Sequence, residues 1–294
     1  MELKERLKVR LQFLKYRMED FTLKNHIKEL IEFHKEFNKY GREFNMIRDD
    51  ISYYERELLP EVKKLKETTG HEHFAKVELE DKILKLIDQD EGILTYQGEQ
   101  LYNLGMICAK VGLEKVVMRA LDDPKAPLQQ DVFGLNIGMF CARYGLEDCA
   151  IKALDNHEAS IQQTYLAKYN IGMMCAQEKL ERATLKAVEN KQAIIQRESS
   201  YGKTIGLLCI DSKLSEPIEK LFDLYPPIAF QTNKLGFGFE SLVLNKDTML
   251  KGMKIRESYH YDESVYNEFE EMVKNEANQC LSADNKDNEI EKEV

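Results

Sequence analysis

The chain has 294 residues, 43% hydrophobic and 32% charged, with only 15 Gly and 6 Pro. It is too apolar for a disordered chain and too poor in Gly and Pro for a fibrous one. With 42 basic and 52 acidic residues the net charge is −10, which argues against non-specific nucleic-acid binding. No apolar run approaches the roughly 20 residues of a membrane span, and no apolar stretch follows Met1–Arg6 as a secretory signal requires. The expected location is the cytoplasm, or a host cytosol reached without a cleaved signal peptide.

Residues 1–68 read as a helical bundle or coiled-coil-like region. Leu3, Leu7, Leu11, Leu14, Met18 and Phe21 share one helical face, and Leu23, Ile27, Leu30, His34 and Phe37 share another. Gly41 is expected to break the chain. Phe44, Ile47, Ile51, Tyr54, Leu58, Val62 and Leu65 form a third, near-heptad stripe with Pro60 inside it. A kinked third helix covers its neighbours only in part, so a homodimer through residues 1–66 is expected.

The middle of the chain repeats itself. Asn103-Leu-Gly-Met-Ile-Cys-Ala109 recurs from Asn136 to Ala142 and from Asn170 to Ala176, with a weaker copy from Thr204 to Ile210. Gly105, Gly138, Gly172 and Gly206 are spaced 33, 34 and 34. A second apolar stretch follows each copy, and residues 79–88 match that second half alone. Asn or Thr suits a helix N-cap. Gly112 and Gly145 suit a left-handed C-cap, and the small residues permit close helix approach. Phe237-Gly238-Phe239 reads as a fifth opening. Such a helix pair cannot bury its apolar face alone, so neighbours must stack, over about residues 69–255.

The unit from Asp131 through Gly134, Asn136, Ala142 and Gly145 to Glu147 resembles the ankyrin-repeat family. It departs from that family's pattern: Asn136 stands for Thr, Ile137 for Pro and Met139 for His, while Lys179 and Lys213 replace a glycine in later units. The resemblance implies an ankyrin-like α-solenoid and protein partners, with a generic α-solenoid as the fallback. The whole fold is expected to be all-α, with a C-terminal amphipathic capping helix at 256–283 and a disordered acidic tail at 284–294. That helix carries Val265, Phe269, Met272, Val273 and Ala277 on one side.

Motifs for chemistry are weak. Cys108, Cys141, Cys175 and Cys209 hold the same place in successive units, on helices about 8–10 Å apart. That is too far for disulfides or a shared metal, so reduced core thiols in an intracellular protein are expected. Cys149 and Cys280 lie off this ladder, as candidate exposed thiols. Tyr201-Gly202-Lys203-Thr204 resembles the end of a phosphate loop, but Arg197 stands where its first glycine belongs. His71 and His73 lack further ligands, and no cofactor, metal or catalytic motif emerges.

Surface remains. By the alignment of units, the turn tips and first helices bring out Tyr102; Val132, Phe133 and Leu135; Arg143 and Tyr144; Leu166 and Tyr169; Gln177; and Tyr201 and Lys203. Exposed turns are usually polar, and clustered aromatic residues are what interface anchors look like. The expected function is a non-enzymatic adaptor or inhibitor that binds another protein on the concave face. The alternatives are internal packing of these residues, a homo-oligomeric scaffold, or an enzyme with its site in the N-terminal region or the groove.

Overall fold

The computed structural model describes residues 40–41, 43–53, 56, 71–239, 246–262 and 264–290. Among these the fold is all-α, with no β-strand and one isolated bridge between Thr232 and Gly238. The stripes over residues 3–37, Pro60 with the end of the third stripe, and the last four residues lie outside the described residues. The chain divides into two compact units, Met1–Ala153 and Leu154–Val294.

The first unit opens with α1 (residues 43–53), whose Phe44, Ile47 and Ile51 are buried. Tyr40 and Gly41 are already helical, so Gly41 does not break the chain there. A helical glycine costs only about 1 kcal/mol relative to alanine, which burial of an apolar stripe readily outweighs. Phe44 meets Tyr96 edge-on, with ring centroids 5.0 Å apart. Next, α2 (His71–Gln89) buries Ile83 and Ile87. Its buried Glu80 accepts from the Lys115 amide at 3.0 Å.

Two helix pairs follow: α3 (Leu104–Val111) with α4 (Glu114–Leu121), and α5 (Ile137–Arg143) with α6 (Glu147–Leu154). The N-caps are as read from the sequence, since Asn103 accepts from Met106 N and Asn136 from Met139 N, each at 3.0 Å. Gly112 and Gly145 lie at φ 78 and 75, the left-handed conformation that ends a helix and favours glycine. A Cβ on Gly105 would come within 2.6 Å of Ile137 Cδ1 and 3.0 Å of Ala120 Cβ, so α3 touches both neighbours because it has no side chain there. Cys149 is buried, not an exposed thiol: the helix turns it inward, and its Sγ lies 3.9 Å from the Glu114 carbonyl. Cys108, Cys141, Cys175 and Cys209 are likewise buried and in no disulfide, whereas Cys280's side chain lies outside the described residues.

In the second unit the order is α7 (His157–Ile161), α8 (Ile171–Gln177), α9 (Glu181–Ala187), α10 (Lys191–Ile195), α11 (Ile205–Ser212) and α12 (Ser215–Leu224). A 3-10 turn at Pro226–Phe230 precedes α13 (Lys246–Ser258) and α14 (Ser264–Ile290). Asn170 and Thr204 cap α8 and α11. The linkers between pairs are themselves partly helical. Asn156 caps α7 and Asn190 caps α10, each by accepting from the helix's own early amides. Lys179 and Lys213 take the left-handed conformation at φ 60 and 62, where the earlier units have glycine.

A buried polar ladder runs beside these caps. Asn103 Nδ2 donates to the Ala126 carbonyl at 3.0 Å and to Gln129 Oε1 at 2.9 Å, and Gln129 Nε2 donates to the Thr95 carbonyl. Asn170 repeats this with Ala193 O at 3.1 Å and Gln196 Oε1 at 2.7 Å, and Gln196 reaches back to Ile161 O. Thr204 bonds Gln231, which reaches Ile194 O and the Tyr266 hydroxyl. Through these glutamines, Asn103, Asn170 and Thr204 each tie their own helix to a segment about one repeat away. Lysines staple the second helices in a parallel manner: Lys152 to Met118 O and Asp122, Lys220 to Leu185 O and Glu189, Lys251 to Glu219 O and Asp223. These are exposed pairs, each worth at most about 1 kcal/mol.

α14 packs on α10 and on the Pro226–Phe230 turn. Tyr266, Phe269 and Val273 are buried while Met272 is exposed, so the inner face is rotated from the one expected. Tyr266 wins the inner position because its hydroxyl is paired by Gln231 at 2.7 Å. The helical backbone continues past residue 283 to Ile290, into the stretch expected to be a disordered tail.

Candidate binding surface

The turns before α3, α5, α8 and α11, with a further one at 233–237, are built by one device. The first residue's amide donates to a carbonyl four or five residues on: Gly98 to Tyr102, Asp131 to Leu135, Thr164 to Tyr169, Glu198 to Lys203 and Asn233 to Phe237, all at 2.9 Å. In the last four of these turns the same residue's side chain also accepts from amides inside the loop. Asp131 takes Phe133 N and Leu135 N, both at 2.8 Å. Thr164 takes Tyr169 N, and Asn233 takes Leu235 N and Phe237 N. Glu198 takes Ser200 N, Tyr201 N and Lys203 N at 2.6, 2.5 and 3.2 Å. A left-handed residue closes each loop: Gly134, Lys168, Gly202 and Gly236 among them.

Within each unit, neighbouring turns are joined edge to edge. In the first unit Val132 N donates to Gln100 O at 3.1 Å. In the second, Ser199 N donates to Ala167 O at 2.9 Å and Lys234 N to Tyr201 O at 2.7 Å. With the backbone satisfied inside the loop, the side chains at its crest face solvent. Phe133 is 55% exposed, Leu166 83% and Tyr201 55%.

The carboxylates that organise two of these turns behave oppositely. Burial pushes the Asp131 carboxyl above its ordinary range despite the amides that favour its charge, and its Oδ2 is buried with no hydrogen-bond partner. Burial also works against the Glu198 charge, but its three amide donors together hold the carboxyl below the usual range. Burial raises the Tyr102 and Tyr169 hydroxyls.

The residues expected at the surface divide three ways. Phe133, Arg143, Tyr144, Leu166, Gln177 and Tyr201 are exposed. Tyr102, Val132, Tyr169 and Lys203 are half-buried. Leu135 is buried and leaves the set, because both its amide and its carbonyl are bonded to Asp131, which turns its side chain inward. In the first unit Phe140 sits between Tyr102, edge-on at 5.6 Å, and Tyr144, stacked at 6.2 Å. Tyr102 also lines a cavity of about 210 Å³ with Phe44, Arg48 and Ile51 of α1 and with Met106 and Lys110 of α3. In the second unit Lys203 Nζ lies 2.5 Å from Asp211 and 5.4 Å from the centre of the Tyr201 ring. Lys203 is thus a side chain held by its own helix, in a repeat turn with Gly202 at φ 70.

Two crest residues were missed from the sequence. Leu235 is 63% exposed and Phe237 51% exposed, in the turn joined to that of Tyr201. Their signal was the spacing, since Leu235 follows Tyr201 by one repeat. Among the described residues, no group of three or more His, Cys, Asp or Glu could hold a metal ion, and no helix is long and apolar enough to cross a membrane. No model of a known protein family matches the chain, and no curated protein matches it.

Proposed function

We propose that this protein is a non-enzymatic adaptor or inhibitor that binds another protein through the crests of its turns and the adjoining first helices. In this reading the helix pairs stack as an ankyrin-like solenoid, with α14 covering its last apolar face and the crests lining a concave side. One observation carries the reading: large apolar side chains are exposed at turn after turn, although the same loops bond their polar backbone internally. A loop that spends its hydrogen bonds internally and presents Phe133, Leu166 and Tyr201 outward is suited to anchoring a partner.

The test replaces Phe133, Leu166 and Tyr201 together by Ser in the full chain. Partner binding, measured by in-cell cross-linking and quantified against wild type, is expected to vanish while helicity and melting temperature stay within error. Unchanged cross-linking sinks the reading, and measurable turnover that survives the substitutions points to an enzyme instead.

A second reading, a homodimer through residues 1–66, is favoured by Met46 and Tyr53, which α1 leaves 57% and 55% exposed. Sedimentation of the full chain beside one beginning near Thr69 decides it. Only the full chain is expected to run as a dimer, and identical behaviour of the two ends this reading.

A further inference from the structure

The crests of the second unit differ chemically from the protein that carries them. The chain is acidic overall, at −10. Yet residues 163–169, 197–203 and 232–238 hold Lys168, Arg197, Lys203 and Lys234 against one acid, Glu198. That acid is buried and turned inward onto three loop amides, so it presents no negative charge at the crest. Arg197 is committed beneath the crest, to Gly202 O and Thr232 O and to Glu270 of α14 at 3.7 Å. Lys203 is held by Asp211. Lys168 and Lys234 stand exposed at the crest, and Lys234 bonds the Ser199 carbonyl. Between these lysines lie Leu166, Tyr201, Leu235 and Phe237, each more than half exposed.

Because the loop amides and carbonyls bond each other within and between turns, a visitor gains little by main-chain pairing. Recognition falls to side chains, namely apolar anchors against Leu166, Tyr201 and Phe237, and negative charges opposite Lys168 and Lys234. We infer that the second unit's crest takes an acidic peptide segment of a partner protein, one whose aspartates or glutamates are interleaved with aromatic or aliphatic residues. The inference rests on reading the crests as a protein-binding surface, and adds the chemistry of what binds. Electrostatic complementarity then sets partner choice and encounter rate, while the apolar anchors set residence.

The experiment uses the full chain and three fluorescent peptide pools, read by anisotropy. One pool alternates Asp or Glu with Phe, Tyr or Leu. The second has Lys or Arg in place of the acids, and the third has Ser or Gly in place of the apolar residues. The first pool is expected to bind at least about tenfold more tightly than either control, and to weaken steeply as salt shortens the screening length. Lys168→Glu with Lys234→Glu, which keeps the loops' backbone bonds and gives up only the side-chain bond of Lys234 to Ser199 O, is expected to cost about tenfold. Leu166→Ser with Phe237→Ser is expected to do the same. Equal binding of the acidic and basic pools, preference for the basic pool, or no binding overturns the inference. So does tighter binding to phosphatidylserine vesicles than to the first pool, which would make the crest a lipid-facing surface. A cross-linked partner that depends on the crest but engages it through a basic segment defeats this inference and leaves the adaptor reading standing.

Discussion

Replacement of Asn170 tests whether the repeat's opening residue does more than cap a helix. Its Oδ1 accepts from Met173 N at 2.8 Å, while its Nδ2 donates to Ala193 O at 3.1 Å and Gln196 Oε1 at 2.7 Å. Asn170→Ala removes a cap worth about 1 kcal/mol. It also orphans two acceptors at about 1–2 kcal/mol apiece, for a loss of about 3–5 kcal/mol. Asn170→Thr imitates the natural Thr204, which caps α11 and still reaches the glutamine of its own unit. It should sacrifice chiefly the Ala193 bond, about 1–2 kcal/mol. Asn170→Asp keeps the cap but sets a buried carboxylate against two acceptors. That raises its folded pKa, so the variant should regain stability as pH falls, the folded state holding the proton more tightly than the unfolded one. Urea titration followed by circular dichroism, with m-values compared to confirm a common transition, measures all three. A gap of only about 1 kcal/mol between the Ala and Thr variants, the worth of the cap alone, would refute the donor role.

The two turn carboxylates should show opposite pH dependences. Asp131, raised by burial, contributes stability present below the unfolded pKa and lost as pH rises through its folded value, so Asp131→Asn should stabilise at neutral pH and flatten that slope. Glu198, held low by its amides, contributes stability present above the unfolded pKa and lost as pH falls through its folded value. Glu198→Gln should therefore destabilise at neutral pH and matter little in acid, as melting curves across pH will check. Lys179→Gly and Lys213→Gly relieve a left-handed strain of about 1–2 kcal/mol, partly offset by glycine's freedom in the unfolded chain, and each should raise the melting temperature slightly. A thiol reagent should reach Cys108, Cys141, Cys149, Cys175 and Cys209 only when urea unfolds the chain, and fast labelling in the native state would contradict their burial.

What the sequence made legible was local and periodic. Asparagine three residues before its partner amide, glycine after the last helical turn, and glycine or alanine at a fixed register each act over one or two turns of chain, and each appears where its spacing places it. What it hid depends on partners a repeat away. Gln129, Gln196 and Gln231 look like ordinary polar linker residues until the caps they bond come into view. Leu135 and Phe133 are both apolar and two apart, and only Asp131's bonds decide that one turns in and the other out. Met272 and Tyr266 competed for the inner face of α14 on hydrophobicity alone, until the buried Gln231 gave the tyrosine hydroxyl a partner. Cys149 lies off the ladder because it stands on the second helix of its unit, whereas the ladder cysteines stand on the first.

An aromatic residue in a turn is therefore not by itself an anchor. Tyr102 and Tyr201 occupy crests of the same construction, and their fates differ through the rest of the chain. Tyr102 is half-buried, edge-on to Phe140, and lines a cavity with α1, whose own Phe44 and Ile51 are buried nearby. α1 thus lies beside part of the first unit's candidate surface, which makes internal packing the better account of Tyr102. Tyr201 instead carries a lysine over its ring and remains more than half exposed, in a turn bonded to those of Leu166 and Leu235. Exposing that much apolar surface in several joined turns wastes roughly 25 cal/mol for every Å² left in water. Nothing in the loops' own hydrogen bonding requires Leu, Tyr or Phe at those positions, since the bonds run through backbone and through Thr164, Glu198 and Asn233. The choice of side chain there is free of the loops' hydrogen bonding, and the proposed partner binding would supply a physical reason for it.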